Sequence, residues 1–186
     1  MKKIVLIEAL FVAVFLSSCL HTVPWFTPKE IFQLVINLDR ADYCNISEVH
    51  GRAILINASN NTVLVYRRLF FAPVRNVFPY SPGYLLLKDP SGRLIKASIK
   101  IDEIRAEQND FVPMPPGAKI EAEIDIYKTF AFQDRYFRQD GVYKLTAIYQ
   151  NNMQVEENID GETVTSWIGE VSSNEVSFQI ASRNCK

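Results

Sequence analysis

The stretch that decides the fold of this chain reads Ala118-Lys119-Ile120-Glu121-Ala122-Glu123-Ile124-Asp125-Ile126. Apolar residues occupy every second position of it, and charged residues occupy the positions between them. Successive side chains of a β-strand point to opposite faces of the sheet, whereas a helix would scatter these residues around its circumference. The alternation therefore predicts a strand with one buried face and one face in water.

The same two-residue period recurs along most of the 186-residue chain. Runs with this period lie at residues 32–38, 95–101, 143–149 and 176–180, and two continuously apolar runs lie at 53–56 and 63–71. Turn-forming residues separate the runs, as in Asn60-Asn61 and Asp89-Pro90-Ser91-Gly92. Residues 150–165 are polar and acidic, which predicts a long hairpin loop. These patterns predict an all-β domain, an antiparallel immunoglobulin-like sandwich of roughly seven to nine strands.

One late strand has a finer marker. Tyr143 follows Asp140-Gly141 by two residues, which resembles the tyrosine corner of immunoglobulin-like sandwiches. In that corner, a tyrosine hydroxyl donates a hydrogen bond to the backbone a few residues upstream. An ordinary half-buried tyrosine is the alternative. Leu145 stands where antibody domains carry the second cysteine of their core disulfide, so we expect no such disulfide here.

The N-terminal residues have the pattern of an export signal. Lys2 and Lys3 precede an apolar run, residues 4–16, that is too short to span a bilayer. The run ends in Leu16-Ser17-Ser18-Cys19, which resembles the lipobox of bacterial lipoproteins. This resemblance implies that residues 1–18 are removed and that Cys19 is acylated, which would anchor the protein in a membrane of the cell envelope. Because Leu20 rather than Asp follows, it also implies the outer membrane where the cell has one. An ordinary secretory signal is the alternative.

Residues 19–30 form a predicted lipidated tether, followed by a single domain of residues 31–186. The tether has two prolines, at positions 24 and 28, and no regular period. With Cys19 carrying lipid, Cys44 and Cys185 remain as an even pair. An oxidising compartment such as the periplasm favours a disulfide between them, and two free thiols are the alternative.

Composition argues against several functional classes. The formal net charge is −1 with mixed signs, which argues against nucleic acid as a partner. The only histidines, His21 and His50, are too few for a multi-histidine metal site and poorly suited to a catalytic triad. No glycine-rich phosphate loop occurs. We therefore predict a protein without enzymatic activity, cofactor or metal, with an unrecognised carboxylate enzyme as the alternative.

Residues 70–84 are the predicted functional surface. Three prolines, at 73, 79 and 82, interrupt their aromatic and apolar residues. A loop stiffened in this way loses little entropy on docking, and loops at the ends of a sandwich often carry binding residues. The alternative is that these aromatic side chains plug the open end of the sandwich. The candidate binding residues are Phe71, Arg75, Val77, Phe78, Tyr80 and Tyr84.

A longer pattern resembles a known module. It consists of residues 111–126, an aromatic stretch ending in Tyr136-Phe137, residues 140–145 and residues 171–178. This pattern is similar to the immunoglobulin-like domain that precedes the catalytic domain in bacterial deuterolysin-type and peptidyl-Lys metalloendopeptidases. It covers most of residues 31–181, but the protease motif His-Glu-x-x-His is absent from the chain.

The resemblance implies a stand-alone accessory sandwich rather than an enzyme. Its expected partner is another envelope protein. A class of bacterial proteinase inhibitors uses a similar sandwich, so proteinase inhibition is one alternative function. A purely structural role in the envelope is the other.

Overall fold

The computed structural model describes residues 31–67, 69, 83–95, 110–130 and 139–182, and strands dominate these ranges. The predicted all-β fold is confirmed. No helix within these ranges is long and apolar enough to cross a membrane. The elements are β1 (Phe32–Leu38), β2 (Asp42–Tyr43), β3 (His50–Asn57), β4 (Val63–Tyr66), β5 (Gly83–Lys88), β6 (Leu94–Ile95), β7 (Phe111–Met114), β8 (Lys119–Asp125), α1 (Ile126–Phe130), β9 (Gly141–Asn151), β10 (Glu156–Ile159), β11 (Glu162–Thr165), β12 (Gly169–Ser172) and β13 (Val176–Ile180).

The first sheet has the order β1-β3-β8 and is antiparallel. Ile36 of β1 lies opposite Ala53 of β3, which lies opposite Ala122 of β8. The alternation predicted for β8 is confirmed, since Ile124 is buried whereas Glu123 is exposed. Ala122 is only partly buried because β8 is the outer strand of this sheet.

The second sheet has the order β2-β13-β9-β5-β6 and is built around the long strand β9. β13 pairs with the first half of β9, and β12 pairs with the second half. Ser173 bridges the break between β12 and β13: its N–H donates to the Ala147 carbonyl over 2.8 Å, and its hydroxyl accepts from the Ala147 N–H over 2.9 Å. The inner faces of both sheets share one core, whose largest fully buried side chains include Tyr143, Tyr149, Phe32, Phe130 and Phe178.

Asn174 joins the two sheets at one side. Its side-chain oxygen accepts from the Ile36 N–H over 2.9 Å, and its side-chain nitrogen donates to the Ile36 carbonyl over 3.1 Å. Among the described residues, Ile36 belongs to the edge strand β1, whose outward backbone groups have no neighbouring strand in the first sheet. The amide of Asn174 therefore supplies the hydrogen bonds that a neighbouring strand would supply.

We expect Asn174→Ala to lower the free energy of unfolding by about 1–2 kcal/mol, because two hydrogen bonds to the edge strand are lost. Urea unfolding monitored by circular dichroism measures this change. Ser177→Ala is the matched control, since Ser177 is exposed on the adjacent strand, and it should stay within about 0.5 kcal/mol of the wild type. Equal stability of the two variants would contradict the assigned role of Asn174.

The predicted turn Asp89-Pro90-Ser91-Gly92 connects β5 and β6. The Gly92 N–H donates to the Asp89 carbonyl over 2.8 Å, and the positive φ of 81° at Gly92 favours glycine. Only 2% of the Asp89 side chain is exposed, and its carboxylate lies 2.9 Å from the Arg93 guanidinium. The Ser91 hydroxyl, followed by the backbone and side chain of Arg93, lowers the pKa of Asp89 below its ordinary value of 3.8.

This lowered pKa predicts a pH-dependent contribution to stability. The ionised Asp89 stabilises the fold fully above the ordinary pKa, and the contribution is lost as pH falls through the lower folded-state value. Asp89→Asn should therefore be less stable than the wild type at pH 7, with a difference that shrinks in acid. Urea unfolding of both proteins at pH 7 and in increasingly acidic buffers tests this. A difference that does not change with pH would contradict it.

The antiparallel pair of β3 and β8 is extended, beyond a bend, by a second pair. β4 follows β3 in the chain, and β7 precedes β8. At the bend, the Asn57 N–H donates to the Ala118 carbonyl over 3.1 Å, and the Gly117 N–H donates to the Asn57 carbonyl over 2.8 Å. The antiparallel ladder then resumes between β4 and β7. Val65 of β4 faces the main core, whereas the other face of β4 contributes to a second cluster, made of Leu64, Tyr66, Phe111 and Val155. Such bends divide the sheets into more and shorter strands than the sequence pattern predicts.

Residues 150–165 form more regular structure than the predicted loop. β9 continues to Asn151, and β10 and β11 pair as an antiparallel hairpin. Asp160 and Gly161 connect them with φ angles of 53° and 88°, as a two-residue hairpin turn requires. Ile159 and Val164 pack against the second cluster. The expectation of a long hairpin loop was therefore wrong for most of these residues.

Tyr143 makes the hydrogen bond expected of a tyrosine corner. Its hydroxyl donates to the Gln139 carbonyl over 2.8 Å. Its ring is buried and stacks on Phe178 with 5.5 Å between ring centroids. Burial raises the pKa of Tyr143 above its ordinary value of 10.0. Leu145, two residues further on the same face, is also fully buried.

Candidate functional site

The chain enters the sandwich at one end, where β1 begins. Phe32, the first residue of β1, lies opposite Asn57, the last residue of β3. Gly169, the first residue of β12, lies opposite Asn151, the last residue of β9. We call this the proximal end and define it by Ile31 and the loops 58–62, 115–118, 152–155 and 166–168. The distal end carries β2, the β5–β6 turn and α1.

The proximal loops differ in charge from the distal end, although the β10–β11 hairpin that joins loops 152–155 and 166–168 carries Glu156, Glu157, Asp160 and Glu162. The four proximal loops contain no Asp, Glu, Lys, Arg or His. The distal segments carry both acidic and basic residues at short intervals along the chain. The charged residues at the distal end of the described structure include Asp39, Arg40, Asp42, Glu48, Asp89, Arg93, Asp125, Lys128 and Asp140.

Buried asparagines shape the proximal loops in place of charged groups. Asn151 donates from its side-chain nitrogen to the carbonyls of Met153 and Trp167, over 3.1 and 2.5 Å. Its side-chain oxygen accepts from the Met153 N–H over 3.1 Å. Asn57 makes equivalent hydrogen bonds to the loop 58–61: its side-chain nitrogen donates to the Asn61 carbonyl, and its side-chain oxygen accepts from the Ser59 N–H. Neutral side chains therefore satisfy part of the backbone of these loops.

An aromatic cluster underlies the proximal end. The rings of Phe32 and Trp167 meet edge to face with 5.1 Å between centroids, and Trp167 stacks on Tyr149 at 5.8 Å. Phe32 and Tyr149 are fully buried, whereas Trp167 is partly exposed. Gly169 lies under the indole, because a Cβ there would come within 2.6 Å of the Trp167 ring. The cluster fixes Trp167 between the start of β1 and the end of β9.

Two exposed apolar side chains flank this cluster. Ile31 precedes Phe32 and is 37% exposed, while Ile168 follows Trp167 and is 54% exposed. Sequence reasoning missed the aromatic cluster because its members lie far apart in the chain. The uncharged sequence around Trp167-Ile168 was the one available signal.

The structure places one of the six candidate binding residues. Tyr84 lies in β5, is 3% exposed, and has its hydroxyl 3.4 Å from a carboxylate oxygen of Glu170. It stands opposite Ile148 of β9, which is also buried. The other five residues, Phe71, Arg75, Val77, Phe78 and Tyr80, lie outside the described residues. The role of this loop stays a prediction.

The charged side chains form surface ion pairs. His50 Nδ1 lies 3.9 Å from an oxygen of Asp125, which also lies 3.2 Å from Lys128 Nζ. Arg52 and Glu121 approach to 3.8 Å on exposed faces of β3 and β8. Exposed pairs of this kind contribute little to stability. Within the described ranges, no group of three or more His, Cys, Asp or Glu residues could hold a metal ion.

Cys44 lies at the distal end and is disulfide-bonded. Next to it, the Ala181 N–H donates to the Tyr43 carbonyl over 3.0 Å, so the C-terminal strand ends beside this cysteine. Cys19 and Cys185 lie outside the described residues. The pairing of Cys44 with Cys185 therefore stays a prediction.

Comparison with known proteins adds no identification: no family model and no curated protein matches this chain. The resemblance to the immunoglobulin-like domain of deuterolysin-type and peptidyl-Lys metalloendopeptidases stays a prediction from the sequence pattern.

Proposed function

We propose that this chain is a non-enzymatic, lipid-anchored accessory protein of the cell envelope, which acts by binding another envelope protein. The observation that carries this proposal is Leu16-Ser17-Ser18-Cys19 at the end of a charged and then apolar N-terminal segment. Acylation of Cys19 with several chains would give stable membrane attachment, which one chain alone does not provide. Residues 1–18 are the removed signal peptide in this proposal.

The position of the domain supports such an anchor. The twelve residues from Leu20 to Ile31 span at most about 40 Å when fully extended. A lipidated Cys19 would therefore hold the sandwich close to the membrane surface. The disulfide at Cys44 suits an oxidising compartment such as the periplasm.

The binding surface in this proposal is the loop 70–84, which leads directly into β5. Tyr84 and the pairing of β5 with β9 provide a rigid base for it, since Tyr84 is buried and β5 pairs with β9 over six residues. Aromatic side chains on a rigid base are typical of the dominant contacts in protein–protein interfaces.

Cross-linking in cells tests the proposal. A C-terminally tagged full-length protein is cross-linked, purified from membranes and compared with a Cys19→Ala variant. We expect one dominant envelope partner that is lost without the anchor. Recovery of the anchored protein alone would contradict a binding function. If the partner is a protease and the purified protein inhibits it stoichiometrically, the function is proteinase inhibition and not the accessory role.

A second comparison tests the loop itself. We expect the double variant Phe78→Ser, Tyr80→Ser to fold normally and to lose the partner. Tyr127→Ser is the matched control, because Tyr127 is an aromatic residue of α1 that is 42% exposed, and it should retain the partner. Unfolding of the double variant would show that these rings fill the end of the sandwich instead.

A further inference from the structure

We propose that the edge of β8 that faces away from β3 is a docking site for an extended segment of a partner protein. The segment would add to the first sheet as a further strand, with apolar residues at alternate positions and lysine or arginine between them. This inference goes beyond the proposed function, because it concerns β8 rather than the loop 70–84 and does not depend on the anchor at Cys19.

The first argument is the direction of the backbone groups of β8. Residues 119–125 pair with β3 without interruption. At the two ends of this ladder, the Ala118 carbonyl accepts from the Asn57 N–H over 3.1 Å, and the Ile126 N–H donates to the Val49 carbonyl over 3.2 Å. The residues of an antiparallel strand bond alternately to one side and to the other. The even-numbered residues of this segment therefore bond to β3.

Glu121 and Glu123 lie between those positions, so their N–H and C=O groups point away from β3. Within the ranges that the structure describes, no hydrogen bond reaches these groups. The edge of β1 differs, because Asn174 satisfies both backbone groups of Ile36 there. The ladder of β8 contains no proline and no bulge that would block an added strand. The edge of β8 can therefore extend the sheet.

The second argument is the incomplete burial of the inner face of β8. Ile120, Ala122 and Ile124 share this face, but only Ile124 is fully buried, with 2% of its surface exposed. Ile120 and Ala122 pack against the core and remain half-buried. An added strand with apolar residues on the same face would remove more of their surface from water.

The third argument is the charge of the outer face of β8. This face carries one basic and three acidic side chains, which are Lys119, Glu121, Glu123 and Asp125. Asp125 lies 3.2 Å from Lys128, and Glu121 lies 3.8 Å from Arg52 of β3. Among the described residues, Glu123 has no ion pair. Opposite charges on adjacent strands stabilise their pairing, so basic side chains beside Glu121 and Glu123 would favour docking.

The same charges argue against a second copy of β8 as the occupant. When two antiparallel copies of β8 overlap fully, their midpoint is Ala122. Glu121 of each copy then lies opposite Glu123 of the other. Like charges directly opposite each other destabilise a pair of strands. A basic strand from a different protein replaces both repulsive pairs by attractive ones.

Titration of the mature protein with blocked peptides tests the inference. The peptides have the seven-residue length of β8, with lysine at every second position and valine, isoleucine or threonine between. Matched peptides have glutamate in place of lysine. We expect lysine peptides to bind and glutamate peptides not to bind. Hydrogen exchange followed by NMR should show that binding protects the Glu121 and Glu123 amides, whereas the Ala122 amide is protected with or without peptide.

Two variants of the edge locate the binding. The double variant Glu121→Lys, Glu123→Lys should lose the lysine peptides and bind the glutamate peptides, because the charges across the new ladder are exchanged. Glu157→Lys, Glu162→Lys is the matched control. Both of its residues are exposed on the β10–β11 hairpin, and at physiological salt it should keep its affinity for lysine peptides within about twofold.

Glu123→Pro removes one outward N–H and leaves the hydrogen bonds to β3 in place, as proline on an edge strand allows. It should weaken the binding of lysine peptides about tenfold or more, because a hydrogen bond to the docked strand is lost. Circular dichroism checks that this variant is folded. If it is not, the charge reversal, which keeps every backbone group, decides the question.

Failure of every lysine peptide to bind would overturn the inference, as would binding that the charge reversal leaves unchanged. If the Glu121 and Glu123 amides were protected without peptide, residues of this chain or a second copy would be covering the edge, and the inference would also be wrong. These peptide experiments leave the loop 70–84 unchanged, so their failure is distinguishable from failure of the proposed function.

Discussion

Replacing Asn57 by alanine is expected to lower the free energy of unfolding by about 2–4 kcal/mol. Asn57 is 1% exposed and sits at the bend between β3 and β4. Its side-chain nitrogen donates to the carbonyls of Asn61 and Met114, each over 2.8 Å. Its side-chain oxygen accepts from the Ser59 N–H over 3.0 Å and from the Ser59 hydroxyl over 2.7 Å. Alanine would remove all four hydrogen bonds, including the buried one to the Met114 carbonyl.

Urea unfolding measures this effect against a matched control in the same loop. Asn60→Ala removes an exposed asparagine and should change stability by less than about 0.5 kcal/mol. Asn57→Asp should also destabilise strongly, because it removes both donors and places a charge at a buried site. The account would be contradicted if Asn57→Ala and Asn60→Ala unfolded at the same urea concentration.

Loss of the disulfide is expected to have the second large effect. Cys44→Ser should lower the free energy of unfolding by about 2–5 kcal/mol, because the disulfide restricts the unfolded chain. The predicted partner, Cys185, would close a loop that contains most of the domain, and long loops give the largest effect in the chain-entropy model. Cys185→Ser should then lower the free energy of unfolding by the same amount as Cys44→Ser. The double variant should lower it no further than either single variant.

Alkylation without reductant, followed by intact mass, checks the pairing before any stability measurement. We expect neither Cys44 nor Cys185 to be labelled in the mature protein, and both to be labelled after reduction and unfolding. Labelling of both cysteines in the native, unreduced protein would contradict the disulfide. A stable Cys185→Ser variant would assign a different partner to Cys44.

Local patterns predicted the strands that have one buried face. Ile124 and Glu123 follow the alternation, and the turn Asp89-Pro90-Ser91-Gly92 forms where its composition indicates. The hydrogen bond of Tyr143 was predictable because its acceptor, the Gln139 carbonyl, lies only four residues away in the chain. Each of these features depends on neighbours in the chain, which a sequence pattern records.

Features that depend on distant residues were not predictable in the same way. The β10–β11 hairpin has exposed side chains on most positions, so it carries no clear apolar period, and its Asp160-Gly161 turn was the one local signal. Ser173 and Asn174 have ordinary loop composition, and their roles arise only from contact with Ala147 and Ile36. The aromatic cluster at the proximal end likewise brings together Phe32 and Trp167, which lie far apart in the chain.

The mass of the N-terminal peptide of the mature protein tests the central claim most directly. The protein is purified from membranes of the cell that makes it, digested, and its N-terminal peptide is identified. The account predicts that this peptide begins at Cys19 and carries a covalently bound lipid. A mature chain that begins elsewhere, or an unmodified Cys19, would contradict the anchor.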